Sequence, residues 1–240
     1  MIYTSTSNEK IKNIKKLQNK KYRDQENLFI VEGEHLVKEA FSLSRLELLI
    51  VEENYDIDID IPKMIVSGRV MKYLSELETP THYLGVVKKN NNNFIGKRII
   101  ALDGVQDPGN LGTIIRSAVA FNIDTVVLSK ECVDIYNSKT LRSTKGMIFN
   151  KNVIVRDIVP FISSLDGYMI YGTDVNDGVD VREIDIPKCL AIVIGNEGTG
   201  ISKIVHDMCD KFIYIKMNDK CESLNAGVAS SIIMYEVNNR

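Results

Sequence analysis

Three short stretches in the second half of the chain hold more chemistry-bearing side chains than a plain connector needs. The first, ALDGVQDPGNLGTIIRSA at residues 101–118, carries Asp103, Gln106, Asp107, Asn110 and Arg116. Carboxylates and carboxamides at such spacing can hold backbone amides and orient a hydroxyl. A guanidinium beyond them can grip a phosphate or stabilise an oxyanion. Pro108-Gly109 predicts a turn, and Asn110 is well placed to cap the helix that follows. Arg116 then falls about one and a half to two turns into that helix, near its N-terminus and facing a ligand crevice. Any one of these residues taken alone is an ordinary turn, cap or solvated charge.

The second stretch, AIVIGNEGTGIS at residues 191–202, runs an apolar strand into Gly195, Gly198 and Gly200, with a helix start at Ser202. Glycines allow close backbone approach to a ligand. The spacing is not G-x-G-x-x-G, so a nicotinamide-dinucleotide site is disfavoured. Glu197 within the loop would repel a phosphate and suits a cation or a hydroxyl-rich ligand. The third, IYIKMNDKCESLNAGVASSIIMYE at residues 213–236, ends a strand near Met217. It then caps a helix at Ser223 or a neighbour, and that helix is rich in small residues (Ala226, Gly227, Ala229, Ser230, Ser231). Small residues permit tight packing of a second helix or close approach of a cofactor.

The elements that must position these loops alternate along the chain. After residue 98, apolar strands are predicted at Arg98–Leu102, Thr125–Leu128, Tyr168–Thr173, Cys189–Ile194 and Ile213–Met217. Helices are predicted at Leu111–Phe121, from Ser138, and at Leu224–Val237. Short apolar runs between helices imply a parallel sheet covered on both faces, with ligands beyond the carboxyl ends of its strands. Before that lies KKNNNNFIGK, whose run of asparagines cannot build a core. It divides the chain into a domain of residues 1–88, a linker of residues 89–97, and a domain of residues 98–240. The first domain reads as a small α/β sandwich. It has a helix placing Ile11, Ile14 and Leu17 on one face, then strands at Leu28–Val31, Leu46–Val51, Met64–Val66 and Tyr83–Val87. Helices are expected there at Glu34–Phe41 and Arg69–Leu77.

Composition narrows the class. Apolar residues make up 44% of the 240 and charged residues 26%, which is ordinary for a soluble globular protein. The net charge of −2 hides a local polarity, because Lys10, Lys12, Lys15, Lys16, Lys20, Lys21 and Arg23 follow one another without an intervening acid. The net charge alone does not suggest a nucleic-acid binder, yet the chain is locally polarised, and binding depends on where the positive charge sits. Cys132, Cys189, Cys209 and Cys221 form no C-x-x-C pair and the three histidines lie far apart, so no metal site is expected. No secretory signal or membrane-length apolar run is visible, which predicts a cytoplasmic protein with no membrane partner.

Together the three loops resemble the motifs of the SpoU (TrmH-like) family of SPOUT RNA methyltransferases. The first matches at Asp103, Gln106, Asp107, Pro108, Asn110, Gly112, Arg116 and Ala118. The second matches at Gly195, Asn196, Glu197, Gly198 and Gly200. The third matches at Ile215, Met217, Glu222, Ser223, Leu224, Asn225, Ala229, Tyr235 and Glu236. Lys216, Asp219 and the run Asn225-Ala226-Gly227 depart from the family pattern. The resemblance extends to TSTSNEKIKNIKKL and FIVEG, which look like the family's ribosomal-protein-like, RNA-binding N-terminal domain.

That resemblance implies a parallel-sheet α/β domain tied in a C-terminal trefoil knot, S-adenosylmethionine as cofactor, and methylation of a ribose 2′-hydroxyl. It implies a homodimer through the C-terminal domain and an RNA substrate, ribosomal RNA favoured over transfer RNA. It places the cofactor against Gly195, Asn196, Glu197, Gly198, Gly200, Ile215, Met217, Ser223, Leu224 and Asn225. It assigns catalysis to Asn110, Arg116, Glu197, Ser223 and Asn225. Family analogy gives Arg116 the 2′-hydroxyl, but a guanidinium with a pKa above about 12 is a poor base. A grip on phosphate and on the developing oxyanion suits it better. The competing readings are a transfer-RNA ribose methyltransferase, a SPOUT enzyme acting on a base nitrogen, and a non-catalytic RNA-binding protein of the same fold.

Overall fold

The computed structural model describes residues 1–90, 93–175 and 177–240. Asn91 and Asn92 of the expected linker lie outside the described residues. The chain divides into two compact units, Met1–Asn91 with Tyr136–Phe149, and Asn92–Ile135 with Asn150–Arg240.

The first unit opens with β1 (Ile2–Tyr3), α1 (Glu9–Lys16), α2 (Lys20–Glu26), β2 (Leu28–Glu32) and α3 (Glu34–Ser42). It continues through β3 (Leu46–Glu52), β4 (Lys63–Val66), α4 (Gly68–Leu74) and β5 (Tyr83–Lys88). Its strands form a mixed sheet in the order β1-β4-β3-β5-β2. Asn8 and Asn19 cap α1 and α2 by accepting from Lys10 and Lys21 amides. Ile11 and Ile14 of α1 and Val70, Met71 and Leu74 of α4 bury against Ile50, Met64, Val66 and Leu84 of the sheet. The expected helix Arg69–Leu77 stops at Leu74. There the buried Glu32 carboxylate accepts from the Ser75 hydroxyl (2.6 Å) and the Glu76 amide (2.9 Å), pulling the chain into an extended path.

The second unit contributes β6 (Arg98–Leu102), α5 (Pro108–Ala120) and β7 (Thr125–Leu128) before α6 (Ser138–Thr144), which belongs to the first unit. There Tyr136 lies 4.6 Å from the Phe29 ring of β2, so this segment is not part of the second unit as its place in the sequence suggests. Next come β8 (Asn152–Val155), α7 (Ile158–Ser163), β9 (Met169–Thr173), β10 (Val179–Asp180) and β11 (Leu190–Ile194). The last elements are α8 (Lys203–His206), β12 (Lys211–Tyr214) and α9 (Ala226–Asn238).

The strands of this unit form a seven-stranded sheet, β10-β12-β9-β11-β6-β7-β8, in which every described pairing is parallel. All residues of β7 and β11 are buried, as a parallel sheet covered on both faces requires. The expected strand Ile213–Met217 ends instead at Tyr214. Its neighbour β9 pairs only as far as Thr173, so Ile215 to Met217 have no strand to follow. No helix among the described residues is long and apolar enough to cross a membrane.

Candidate active site

Strands β6, β9 and β11 deliver their carboxyl ends to one rim of the sheet, where three loops are tied together by side chains. Asp103, just past β6, accepts the Ser202 amide at 2.8 Å. Asn196, just past β11, donates its side-chain amide to the Gly104 carbonyl at 2.7 Å and accepts from the Gly198 and Thr199 amides. The loop then closes on itself, since Asn196 and Gly200 exchange both backbone hydrogen bonds at 3.0 Å. A Cβ on Gly195 would stand 2.2 Å from the Gly200 carbonyl carbon and 2.3 Å from the Ile201 nitrogen, so only glycine fits there.

Glu197 is the hub. One carboxylate oxygen accepts the Gln106 amide at 3.1 Å; the other accepts the Asp107 amide at 3.1 Å and the Asn110 side chain at 2.9 Å. Partial burial pushes the Glu197 pKa up. The hydrogen bonds from Asn110, Gln106 and Asp107 together outweigh that, and the carboxyl sits below its ordinary 4.5. It is therefore an anion committed to holding a loop and a weak base.

Asn110 does not cap its helix. Asp107 is the cap, its carboxylate accepting the Asn110 backbone amide at 2.8 Å, and Pro108 opens α5 as its first residue instead of making a separate turn. The preset φ of proline and its missing donor suit that position. This leaves the Asn110 side chain free to reach Glu197. At the third loop Asn225 caps α9, accepting from the Gly227 and Val228 amides.

These loops enclose a cavity of about 800 Å³. Every residue expected to hold a cofactor lines it: Gly195, Asn196, Glu197, Gly198, Gly200, Ile215, Met217, Ser223, Leu224 and Asn225. Asn110 lines it as well. Lys216 is exposed between Ile215 and Met217, and Asp219 is exposed in a turn built on Asn218, so these two departures from the family pattern lie outside the wall, whereas Asn225 and Ala226 of the third departure are part of it. Sequence reasoning missed Thr173, Asp174, His206 and Ile233, which also line it. The polar end of the β9 strand, GTD, was the one available signal for the first two.

Arg116 is not in this wall. It lies eight residues past Pro108, about 2.2 turns into α5 and beyond its middle, not near its N-terminus. Its side chain is exposed and makes no hydrogen bond or ion pair among the described residues. The described residues also contain no cluster of ligating side chains that could hold a metal.

A cavity at the carboxyl rim of a parallel sheet, closed by a one-glycine clamp and a carboxylate hub, has close relatives. Residues 97–235 match the model of the SpoU rRNA Methylase family, and residues 8–85 match the MRM3-like substrate binding domain. A 23S rRNA (guanosine(2553)-2′-O)-methyltransferase of Bacillus subtilis (strain 168) is 35% identical over 97% of each chain. An rRNA methyltransferase of Sinorhizobium meliloti superposes with a TM-score of 0.87, 26% identity, and coverage of 100% of this chain and 97% of that one. Its AdoMet-bound form superposes at 0.85. A TrmH-family structure from Porphyromonas gingivalis reaches 0.86 at 28% identity, over 96% and 97% of the two chains. With the motif loops, the parallel sheet and a full-length relative in agreement, the chain belongs to the SpoU rRNA methylase family.

Proposed function

We propose that this protein uses S-adenosylmethionine to methylate a ribose 2′-hydroxyl of ribosomal RNA. The observation that carries the reading is the cavity, where the residues of the second and third motifs meet Asn110 at the carboxyl rim of the sheet. The fit to the cofactor rests on this chain's own lining. Ile194, Ile213, Ile215 and Leu224 offer apolar contact for an adenosyl group, and the clamped glycine loop lets backbone approach closely. Bound there, S-adenosylmethionine supplies a methyl group that its sulfonium already makes electrophilic.

The chain's work is then alignment and charge stabilisation. Glu197 fixes the loop after β6 and the Asn110 side chain. The Asn225 side-chain oxygen is spent on the helix cap, so only its amide hydrogens are left to meet a ligand in the cavity that Asn225 lines. Ser223, exposed at the lip, orients the ribose hydroxyl. As the hydroxyl gives up its proton to water, Arg116 would stabilise the negative charge this leaves on the oxygen and would grip the neighbouring phosphate.

Because Arg116 stands outside the cavity of its own chain, we place it in the cavity of a second copy. The face that supports such a dimer lies on α9, where Val228 and Tyr235 are 45% and 51% exposed and two turns apart. The knotted path of the C-terminal domain, a boundary between the two domains within residues 89–97 with residues 136–149 joining the first, and a cytoplasmic setting complete the proposal. Four unpaired cysteines support that setting. Mapping 2′-O-methyl groups in cellular RNA with and without the protein tests it. One ribose site lost from ribosomal RNA is expected. Loss of a base methyl group would favour nitrogen methylation, a site in transfer RNA would move the substrate, and failure to bind S-adenosylmethionine would favour a non-catalytic RNA binder.

A further inference from the structure

Three of the six lysines between residues 10 and 23 are already engaged in hydrogen bonds or an ion pair, while Lys20 and Lys21 stand exposed on α2. Lys12 pairs with Glu9 at 3.1 Å, and Lys16 donates to Asn13 at 2.9 Å and lies 5.8 Å from the Tyr22 ring. Lys15 donates to the Tyr73 carbonyl at 2.6 Å and lies 5.0 Å from the centre of the Tyr73 ring, so it staples α1 to α4. Burial lowers its pKa. Arg23 is buried and donates to the Leu17 and Gln18 carbonyls. The middle of the basic run, Lys12, Lys15 and Lys16 with the buried Arg23, thus serves the fold, and Lys10, Lys20 and Lys21 remain uncommitted by hydrogen bond or ion pair among the described residues.

Of these, Lys10 lies on the face shared by α1 and α4, where further free cations gather. Arg69 and Lys72 are exposed and have no hydrogen-bond or ion-pair partner among the described residues. Tyr73 is 37% exposed beside Lys72, and residues 69, 72 and 73 share one side of α4 by their three- and four-residue spacing. Tyr3 adjoins the start of the same helix, its carbonyl accepting the Ser67 amide at 3.0 Å. Lys10 lies 6.0 Å from the centre of the Tyr3 ring. Two tyrosine rings, one at each end of the short α4, therefore flank two free cations, and each ring has an ammonium over it. From Lys10 to Lys15 the helix rises only ~7.5 Å, so the rings lie within reach of neighbouring nucleotides. Among the acids about this face, Glu9 is paired with Lys12, Glu76 is exposed, and the half-buried Glu52 carboxylate lies against Gly68 at the start of α4, held by His82 at 2.6 Å.

Resting on the reading of the chain as an RNA methyltransferase, we propose that the α1/α4 face is a platform for single-stranded RNA. Tyr3 and Tyr73 stack unpaired bases, while Lys10, Arg69 and Lys72 hold the phosphates between them. An aromatic face takes any base, whereas the bases of a duplex are already stacked and cannot be offered to it. A base arriving on the ring displaces the ammonium, which moves to the adjoining phosphate.

The test uses the full chain and two fluorescent probes, a single-stranded RNA of about twelve nucleotides and a duplex of the same length. Tyr3→Ala with Tyr73→Ala should weaken single-strand binding at least about tenfold, the scale of losing a base stack, and leave duplex binding unchanged. The paired Tyr→Phe variant should bind as the parent does, which separates stacking from any loss of folding. Lys10→Gln, Arg69→Gln and Lys72→Gln should each flatten the salt dependence by about 0.7 in the log–log slope. Parent-like single-strand affinity in the alanine variant, or a parent preference for duplex, would overturn the platform. Calorimetry with S-adenosylmethionine on the same preparations keeps the two readings apart: absent cofactor binding with an intact platform overturns the enzyme alone.

Discussion

Two side chains set the terms at the scale of single residues. Arg116 makes no hydrogen bond or ion pair among the described residues, so its removal should leave thermal stability and cofactor affinity as they are. We expect Arg116→Ala to lower single-turnover methyl transfer by at least about a hundredfold, the scale of one transition-state contact. Arg116→Lys should recover little, because an ammonium lacks the planar fork. A parent-like rate in the alanine variant would remove Arg116 from the mechanism. Glu197 is the opposite case, a carboxylate surrounded by donors. A glutamine there keeps the shape but turns one acceptor into a donor facing an amide. We expect Glu197→Gln to weaken cofactor binding about tenfold, near the ~1.5 kcal/mol of one hydrogen bond to a charged group. Since the folded-state pKa of Glu197 is depressed, its contribution to stability is fully present above 4.5 and is lost as pH falls through the lower folded value. Thermal melts of the parent should therefore drop more steeply in that acid window than those of the glutamine variant.

The elements show what the sequence disclosed and what it withheld. The strands β6, β7 and β11 are runs of apolar residues between polar boundaries, and nothing competes with that signal. Strand β8 is only four residues, Asn152–Val155, and merges into the helical turn Ile158–Ser163 with Pro160 inside it. A proline in the first turn of a helix costs little, but in the sequence it reads as a breaker. The sequence points to Asn110 as the cap before α5, but Asp107 is an equally good cap and only tertiary contact decides between them. Asn110 was drawn away by Glu197, 87 positions along the chain. For the same reason the motif residues around the cavity were legible as a set, while the place of Arg116 was not: counting from Asn110 put the helix start too late. The loop Gly195–Gly200 makes the sharpest prediction at this scale. Gly195→Ala should fold, since the strand before it is unaffected, but should force the bridge between Asn196 and Gly200 apart. Loss of calorimetric binding of S-adenosylmethionine, with the far-ultraviolet spectrum intact, is the expected result.

For the whole molecule the decisive question is how many copies make a working site. Helices α5 and α9 pack closely, Ser117 to Ser231 at 2.7 Å and Gly227 against Thr113, and leave Val228, Tyr235 and Arg116 in water. A symmetric pair through that face would bury two large apolar side chains from each copy. We expect Val228→Asp to convert a dimer into a monomer by light scattering and to abolish methyl transfer while cofactor affinity falls little. We also expect Arg116→Ala and Asn225→Ala, each inactive alone, to regain activity when unfolded and refolded together. No recovery on mixing would confine each site to one chain.

The sheet order has a kinetic consequence. Strand β11 is inserted beside β6, some ninety residues earlier in the chain, and the cavity needs both as well as residues 213–233. Contacts of such sequence separation form late, because a long loop must close before any of them is rewarded. Early folding species can therefore have their helices and the first parallel strands without any place for the cofactor. S-adenosylmethionine recognises only the finished arrangement. During synthesis and refolding it acts as a late lock, drawing the last step forward by mass action and leaving the earlier ones untouched.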